Sequence, residues 1–420
     1  MIPKLTLQDG VTPQCQVFLE ALAATGFRGD IESSFSSRLA VATDNSVYQW
    51  VPQAVVLPRD SDDLCKLTRL AAESRFASLY FSARGGGTGT NGQSLSDGII
   101  VDLSRHMHGI LSFDAATRQV RVQAGLVKDR LNEYLKPHDL FFSPELSTSN
   151  RATIGGMINT DASGQGSMVY GKTSAHVLAV QAILEDGTVF ETGPFSGAAL
   201  DAKLAQQDRE GDLYRAVLEV ARGKRAEIEA SFPQLNRFLT GYDLKHVWDP
   251  ATGTLDLTRL LCGSEGTLAF ITEATLDLTP VPRFRTLVNI KYDSFESALR
   301  NAPLMVAAKA LSVETVDSKV LDLARGDIVW HSVRDLITDV PGKAMQGINI
   351  VEFAGEDAVA QQALVDALTA QLETCLAQQQ GGVIGYQVCN DLTGIEAIYA
   401  VRKKAVGLLG NAKGRRKPVP

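Results

Sequence analysis

The sequence predicts a mixed α+β protein of more than one domain, with a ligand loop at the end of a strand in its first half. Three observations carry that prediction. At 420 residues the chain is too long to fold around a single core. Between residues 51 and 110 a strand, a helix and a strand lead directly into a glycine cluster. After residue 280 the pattern changes to a second, independent series of strands and helices. Composition agrees with a water-soluble globular protein: 45% of the residues are hydrophobic and 21% charged. A formal charge of −7 argues against nucleic acid as the main partner. No apolar run reaches membrane-spanning length, and no charged-then-apolar leader opens the chain. The five cysteines are scattered and form no Cys-x-x-Cys pair, which suits a reducing, cytoplasmic setting rather than a disulfide framework or metal cluster.

Residues 1–50 read as an arm on the main body, with a weakly helical stretch from Gln14 to Thr25 and a polar, serine-rich segment to Asn45. The run Pro52–Pro58 is a short strand between prolines. Ser61-Asp-Asp63 then offers an N-cap, and Leu64, Leu67, Leu70 and Ala71 fall at helical spacing. The apolar run Phe76–Phe81 reads as a buried strand, and Ile99–Leu103 as another. From residue 111, Val120–Ala124 alternates as a strand, Gly125 ends it, and Lys128–Leu135 is an amphipathic helix. Met157–Gly171 has little periodicity and reads as a long, functional loop. Val177–Leu184 is a strand closed by the hairpin signal Glu185-Asp-Gly187. In the second series, Arg285–Ile290, Ile348–Phe353 and Val383–Val388 are strands. Ser294–Ala308, with Phe295, Ala298 and Leu299 on one face, and Asp357–Ala377 are helices. That order suits a ferredoxin-like α+β domain.

Chemistry concentrates in three small-residue segments. The first, Ser82–Gly92, has five glycines in eleven residues. Glycine admits positive φ and close approach of the backbone to a ligand, and successive amides in such a turn converge on an anion. Arg84, Thr88 and Thr90 add a charge and two hydroxyls, so the loop is equipped for a pyrophosphate; a plain surface loop is the competing reading. It is neither a P-loop nor a Rossmann fingerprint, since no Gly-Lys-Ser/Thr closes it and the glycine spacing differs. The second segment runs from Phe142 through Thr153-Ile-Gly-Gly156 to Gly171, and the third is Cys262–Thr272. Three such segments, each tied to a strand, fit one extended ligand held at several points.

The order Arg-Gly-Gly-Gly-Thr-Gly, Thr-Ile-Gly-Gly, Tyr-Gly with Glu-Asp-Gly, then Gly-Ser-Glu-Gly-Thr-Leu-x-x-Ile-Thr resembles the FAD-linked oxidase family of the vanillyl-alcohol oxidase and p-cresol methylhydroxylase (PCMH) type. The likeness spans about residues 50–280 and is nearest to the flavin part of the long bacterial D-2-hydroxyacid dehydrogenases. It implies a PCMH-type FAD-binding domain over 51–280, in subdomains of about 51–110 and 111–280. An α+β cap over 281–400 and the start of a C-terminal segment at 401–420 follow. It further implies that Arg84, Gly85, Gly86, Gly87, Thr88, Gly89, Thr90 and Asn91 wrap the FAD pyrophosphate. Pro144, Thr153, Gly155, Gly156, Thr160, Asp161, Ser163 and Gly164 would line the ribityl chain and flavin ring, and Glu265 and Gly266 would close the site. Relatives often have Asn-Ala-Gly-Gly where this chain has Asp161-Ala-Ser-Gly164, a departure that would bring a carboxylate near the flavin and alter its hydrogen bonding and redox potential. Covalent-flavin relatives carry histidine at the place of Thr88, so FAD is expected to be noncovalent.

By the same resemblance Ile398-Tyr-Ala-Val-Arg402 is the segment whose arginine takes the substrate carboxylate, and Lys417 stands where relatives place a second cation. The competing reading of Lys413–Lys417 is a solvated basic tail. Val406 replaces the threonine that relatives carry four residues after the arginine. The implied reaction is oxidation of a D-2-hydroxy acid, D-2-hydroxyglutarate first, by hydride transfer to flavin N5. Electrons would then pass to a quinone, a cytochrome or an iron–sulfur protein. D-lactate or glycolate oxidation, and a binding-only piece of a larger electron-transfer protein, stand as alternatives. The sequence stops at Pro420 in mid-pattern, so the general base, any metal-binding histidines and any 4Fe–4S cysteines are expected beyond it. No metal site is expected within the chain: His106 and His108 have no third ligand in view, and His246 is at most a neighbour of the site. A cytoplasmic protein, peripheral to the inner membrane through its acceptor and compatible with an oligomer, completes the expectation.

Overall fold

The computed structural model describes residues 10–235 and 241–410, without the side chains of Arg402, Lys403 and residues 405–410. Two compact units emerge. One comprises Met1–Ser163 with Gly171–Thr279, the other Gly164–Tyr170 with Pro280–Pro420.

Two larger sheets, of four and five strands, build the first unit, beside smaller strand pairings. Strands Asp30–Glu32, Ala54–Leu57, Ile99–Asp102 and Phe81–Arg84 stand side by side in that order; the last three are parallel and the first antiparallel. Ala54–Leu57 is buried at every position, as expected of a strand covered on both faces. The 1–50 segment contributes directly to this body. The helix Pro13–Ala24 buries Cys15, Phe18, Leu19 and Leu22 in the same core, and Asp30–Glu32 extends the sheet.

Two local expectations are corrected. The run from Phe76 does not begin a strand: Ser74–Phe76 is a short 3-10 turn, closed by Ala77 N donating to Ser74 O at 3.3 Å, a further turn follows with Leu79 N donating to Phe76 O at 2.9 Å, and the strand starts at Phe81. Phe76 is held instead by the ring of Phe18, edge-on at 5.1 Å. The helix Ser61–Ala71 is capped by Asp60, whose side chain accepts from Asp63 N at 3.1 Å, one residue earlier than expected.

The second sheet is antiparallel, in the order Ile110–Asp114, Gln119–Gln123, Phe270–Asp277, Val177–Ile183, Val189–Glu191. The Glu185–Gly187 hairpin forms as expected, with Gly187 at φ +82°. The stretch expected to be one loop, Met157–Gly171, is interrupted by short helices at Ile154–Asn159 and Ser167–Tyr170. Thr153 makes the first possible by accepting from Gly156 N at 3.3 Å. Gly155 keeps it close to the sheet, since a Cβ there would stand 2.8 Å from that of Ala124. Residues 197–231 add three helices, of which Arg209–Gly223 buries Tyr214 in a separate small core with Trp248.

The second unit is a four-stranded antiparallel sheet in the order Ser312–Asp317, Gly347–Gly355, Phe284–Tyr292, Val383–Cys389. Helices Phe295–Ala307 and Ala358–Gln378 lie in the core formed by Val288, Ile290 and Phe353. Ser318–Arg325 and Leu392–Gly410 lie in the core on the alternate residues Leu287, Ile348 and Ile350. Strand order and helix placement are those of a ferredoxin-like domain with a second helical layer. The buried face of Phe295–Ala307 is Ala298, Asn301 and Met305, whereas Phe295 and Leu299 are exposed, contrary to expectation. Asn301 displaces them because its amide donates to Ser297 O and Gly381 O, both at 2.8 Å.

Candidate functional site

A cleft of about 360 Å³ opens in the first unit where the three small-residue segments meet. Its first wall is the loop that leaves Phe81–Arg84. Gly85 and Gly86 are required there by contact: a Cβ would lie 2.1 Å from Thr153 Oγ1 on Gly85 and 2.0 Å from the Arg151 carbonyl oxygen on Gly86. Two segments from distant parts of the chain therefore run against each other, Gly86 on the Arg151 backbone and Gly85 on the Thr153 side chain, and Gly87, at φ +59°, turns the loop. Arg84 braces the loop from within. Its guanidinium donates to Thr43 O at 2.8 Å and Ser94 O at 3.2 Å, and burial pulls its pKa down.

The second and third walls are locked together by Asn159. Its Oδ1 accepts from Gly266 N at 3.1 Å and Ser264 Oγ at 3.3 Å, its Nδ2 donates to Gly155 O at 3.0 Å, and its backbone oxygen accepts from Glu265 N at 2.8 Å. Two non-glycine residues of the cleft adopt the left-handed region, Asp161 at φ +45° and Glu265 at φ +54°. Such conformations cost energy and gather at functional sites. The buried Asp161 carboxylate is already engaged: Lys172 Nζ pairs with Oδ2, and Ser174 N donates to Oδ1 at 2.9 Å. Burial raises the pKa of the Glu265 carboxyl at the rim.

Of the expected cofactor residues, Arg84, Gly85, Gly86, Gly87, Thr88, Gly89, Thr90, Thr153, Gly155, Gly156, Thr160, Asp161, Ser163, Glu265 and Gly266 line this one cleft. Asn91, Pro144 and Gly164 are not among its lining residues. Asn159 was not anticipated as a site residue, although its place three residues after Gly156 in a stretch of small residues was a usable signal. Arg402 belongs to the helix Leu392–Gly410 with its side chain undescribed, and Lys417 lies outside the described residues. His106 bonds Asp30 Oδ2 at 2.8 Å, and His246 bonds Asp243 Oδ2 at 2.7 Å. Among the described residues, the one cluster with metal-type ligands is Asp60, Asp62 and Asp63, which Arg28 and Lys66 neutralise.

The cleft suits an extended, multiply hydrogen-bonded ligand. Ser163 Oγ, which lines it, is shut off from water and has no hydrogen-bond partner within the protein, an arrangement that calls for a ligand group. An FAD-binding-domain family matches residues 52–193, and the C-terminal-domain family of FAD-linked oxidases matches residues 281–420.

The chain carries the FAD-binding and C-terminal domains of FAD-linked oxidases.

This chain is 62% identical over its full length to the D-2-hydroxyglutarate dehydrogenase of Pantoea ananatis, and 58% identical to that of Escherichia coli. It spans 41% of the length of each. A solved alkyldihydroxyacetonephosphate synthase shares the fold, with a TM-score of 0.64 over 95% of this chain and 64% of that one, at 15% identity. FAD is the cofactor of the matched domain, and the cleft with its orphaned Ser163 hydroxyl fits it. No helix among the described residues is long and apolar enough to cross a membrane.

Proposed function

We propose that this chain is the flavin-bearing part of a dehydrogenase that converts D-2-hydroxyglutarate to 2-oxoglutarate. The observation that carries the proposal is the three-walled cleft, together with 49–62% identity to relatives named for that activity. When bound, FAD supplies the hydride acceptor, and the protein supplies placement and electrostatics. The Arg84–Asn91 loop offers backbone amides to the pyrophosphate. The Ser163 hydroxyl would hydrogen-bond the bound cofactor, and Asn159 keeps the second and third walls at a fixed separation. Lys172 cancels the charge of Asp161, so the buried carboxylate adds little net negative charge to the cleft. Arg402 takes the substrate's C1 carboxylate through two parallel hydrogen bonds, which a planar guanidinium provides. Lys417 takes the distal carboxylate. Electrons leave to an acceptor such as a quinone, a cytochrome or an iron–sulfur protein, with the enzyme in the cytoplasm.

The test is an anaerobic titration of the FAD-loaded protein with D- and L-2-hydroxyglutarate, D-lactate and glycolate. Bleaching of the flavin band by the D-dicarboxylate in preference to the others is expected. Preferential bleaching by D-lactate or glycolate would reassign the substrate. A flavin that none of them reduces would make the chain a binding-only piece.

A further inference from the structure

We propose that Glu352 is a positioning residue for the substrate end of the enzyme, tying the helix that carries Arg402 and the segment that follows Ser163 to one buried carboxylate. The inference rests on the reading of Arg402 given above. Glu352 is 2% exposed and sits in the apolar strand Gly347–Gly355. A charge so placed is tolerated only when paired and hydrogen-bonded, and here both oxygens are. Arg285 donates to Oε1 through Nε at 2.8 Å and Nη2 at 2.7 Å. Oε2 accepts from Tyr399 Oη at 2.6 Å and Gln165 Nε2 at 3.2 Å, with Ser312 Oγ at 3.4 Å.

These partners come from far apart in the chain, and two stand beside functional positions. Tyr399 precedes Arg402 by three residues in the same helix, Leu392–Gly410. Gln165 follows by two residues the Ser163 whose orphaned hydroxyl lines the FAD cleft. The helix is otherwise held by Ile395, Ile398 and Val401 in an apolar core and, at its exposed side, by Lys404 Nζ at 4.0 Å from Asp327 Oδ1, a contact too long and too solvated to fix rotation tightly. Apolar burial is non-directional and sets depth without setting rotation about the helix axis, so the Tyr399–Glu352 hydrogen bond supplies the rotational stop. Burial first, then the charge of Glu352, pushes the Tyr399 phenol far up, which keeps it a donor. The same cluster reaches Tyr170 at the end of the 164–170 segment, whose phenol is raised by burial and then by Glu352.

The test compares Glu352→Gln, Tyr399→Phe and the double variant in the FAD-loaded enzyme. Misplacement of a reacting group by about 1 Å costs on the order of 100-fold. Glu352→Gln is therefore expected to keep its FAD while KM for D-2-hydroxyglutarate rises roughly 10- to 100-fold. Tyr399→Phe should shift KM in the same direction by less, and the double variant should be no worse than Glu352→Gln, since both break one link. Hydrogen exchange should speed up in residues 392–410 and 163–170 while the rest of the second unit is unchanged. A KM within twofold of the parent together with unchanged local exchange would overturn the proposal, leaving Glu352 a general contributor to stability. If Glu352→Gln does not fold, Tyr399→Phe decides by the same two readouts. If the unaltered protein is reduced by no hydroxy acid, the substrate reading fails on its own, and local exchange still decides whether Glu352 holds these two segments.

Discussion

Gly86→Ala puts the close approach of the cleft's first two walls to a direct test. The added methyl would lie 2.0 Å from the Arg151 carbonyl oxygen and 2.8 Å from its carbon, both backbone atoms that no rotamer change can remove. Reaching even 3.0 Å, the shortest separation that real Cβ atoms show, requires one wall to move by 1.0 Å relative to the other. Overpacking of this kind costs about 1–3 kcal/mol of stability. The larger effect falls on the ligand if, as proposed above, the loop's amides hold the FAD pyrophosphate, because they would be moved off their partners. A displacement of about 1 Å is worth on the order of 100-fold, or about 2.7 kcal/mol of binding free energy. The assay is FAD affinity by reconstitution of the apoprotein, followed through quenching of flavin fluorescence, with thermal unfolding of the same sample. Gly223→Ala is the control, since a Cβ there meets nothing within 4 Å; it should leave FAD affinity untouched. A Gly86→Ala protein that binds FAD as tightly as the parent would refute the reasoning, because the loop would then tolerate a gap between the walls.

Three further outcomes follow from the same cleft and its surroundings. Ser163→Ala removes a hydroxyl that has no protein partner, so apoprotein stability should be unchanged while FAD affinity falls by about 2- to 12-fold, the value of one hydrogen bond of about 0.5–1.5 kcal/mol; equal affinity would show that the hydroxyl does not meet the cofactor. Lys172→Met strands the buried Asp161 carboxylate and should cost about 3–5 kcal/mol in urea unfolding, with Lys172→Met/Asp161→Asn recovering much of it. Asp243 is subject to burial, which alone raises its pKa, but the hydrogen bond and charge of His246 outweigh it and the net shift is downward. Its contribution to stability is thus present above the ordinary carboxylate range and lost as pH falls through the lowered folded value. Thermal unfolding should find Asp243→Asn less stable than the parent at pH 7, with the gap closing in acid.

The parts of the fold legible in the sequence were those in which local chemistry and tertiary need coincide. Lys128–Leu135 has an apolar stripe and little else, and it forms where the spacing puts it. The Glu185-Asp-Gly187 turn needs a positive φ at its glycine and has one. The glycine loop, the Thr-Ile-Gly-Gly segment and the Gly-Ser-Glu-Gly turn were each visible because their composition has no use in a packed core. Where the reading failed, a distant partner had intervened. Phe76 looks like the start of a strand until Phe18, from nearly sixty positions earlier, stacks against it edge-on. Ile154–Asn159 contains two glycines and has no apolar period long enough to announce a helix, yet Thr153 caps it and the sheet beneath requires Gly155.

The same reasoning explains why the polar residues that organise the two units escaped notice. Asn159 reads locally as one more small polar residue in a loop, and Glu352 as a break in the run Ile348–Phe353. Their function lies in what they bond, and every partner but Gly155 is more than a hundred residues away for Asn159, and every partner is at least forty away for Glu352. A polar side chain in an apolar strand costs stability unless it is satisfied, so its presence is itself a signal that satisfaction comes from elsewhere in the fold. In this chain that signal was available at Glu352 before any coordinates, as a carboxylate between Val351 and Phe353, both of which are buried. The partner residues Arg285 and Tyr399 were also singled out, the first as the start of a strand and the second within the segment that carries Arg402, neither as a partner of Glu352. Only the register of Phe284–Tyr292 on Gly347–Gly355, which sets Leu287 opposite Glu352, brings Arg285 within reach of that carboxylate.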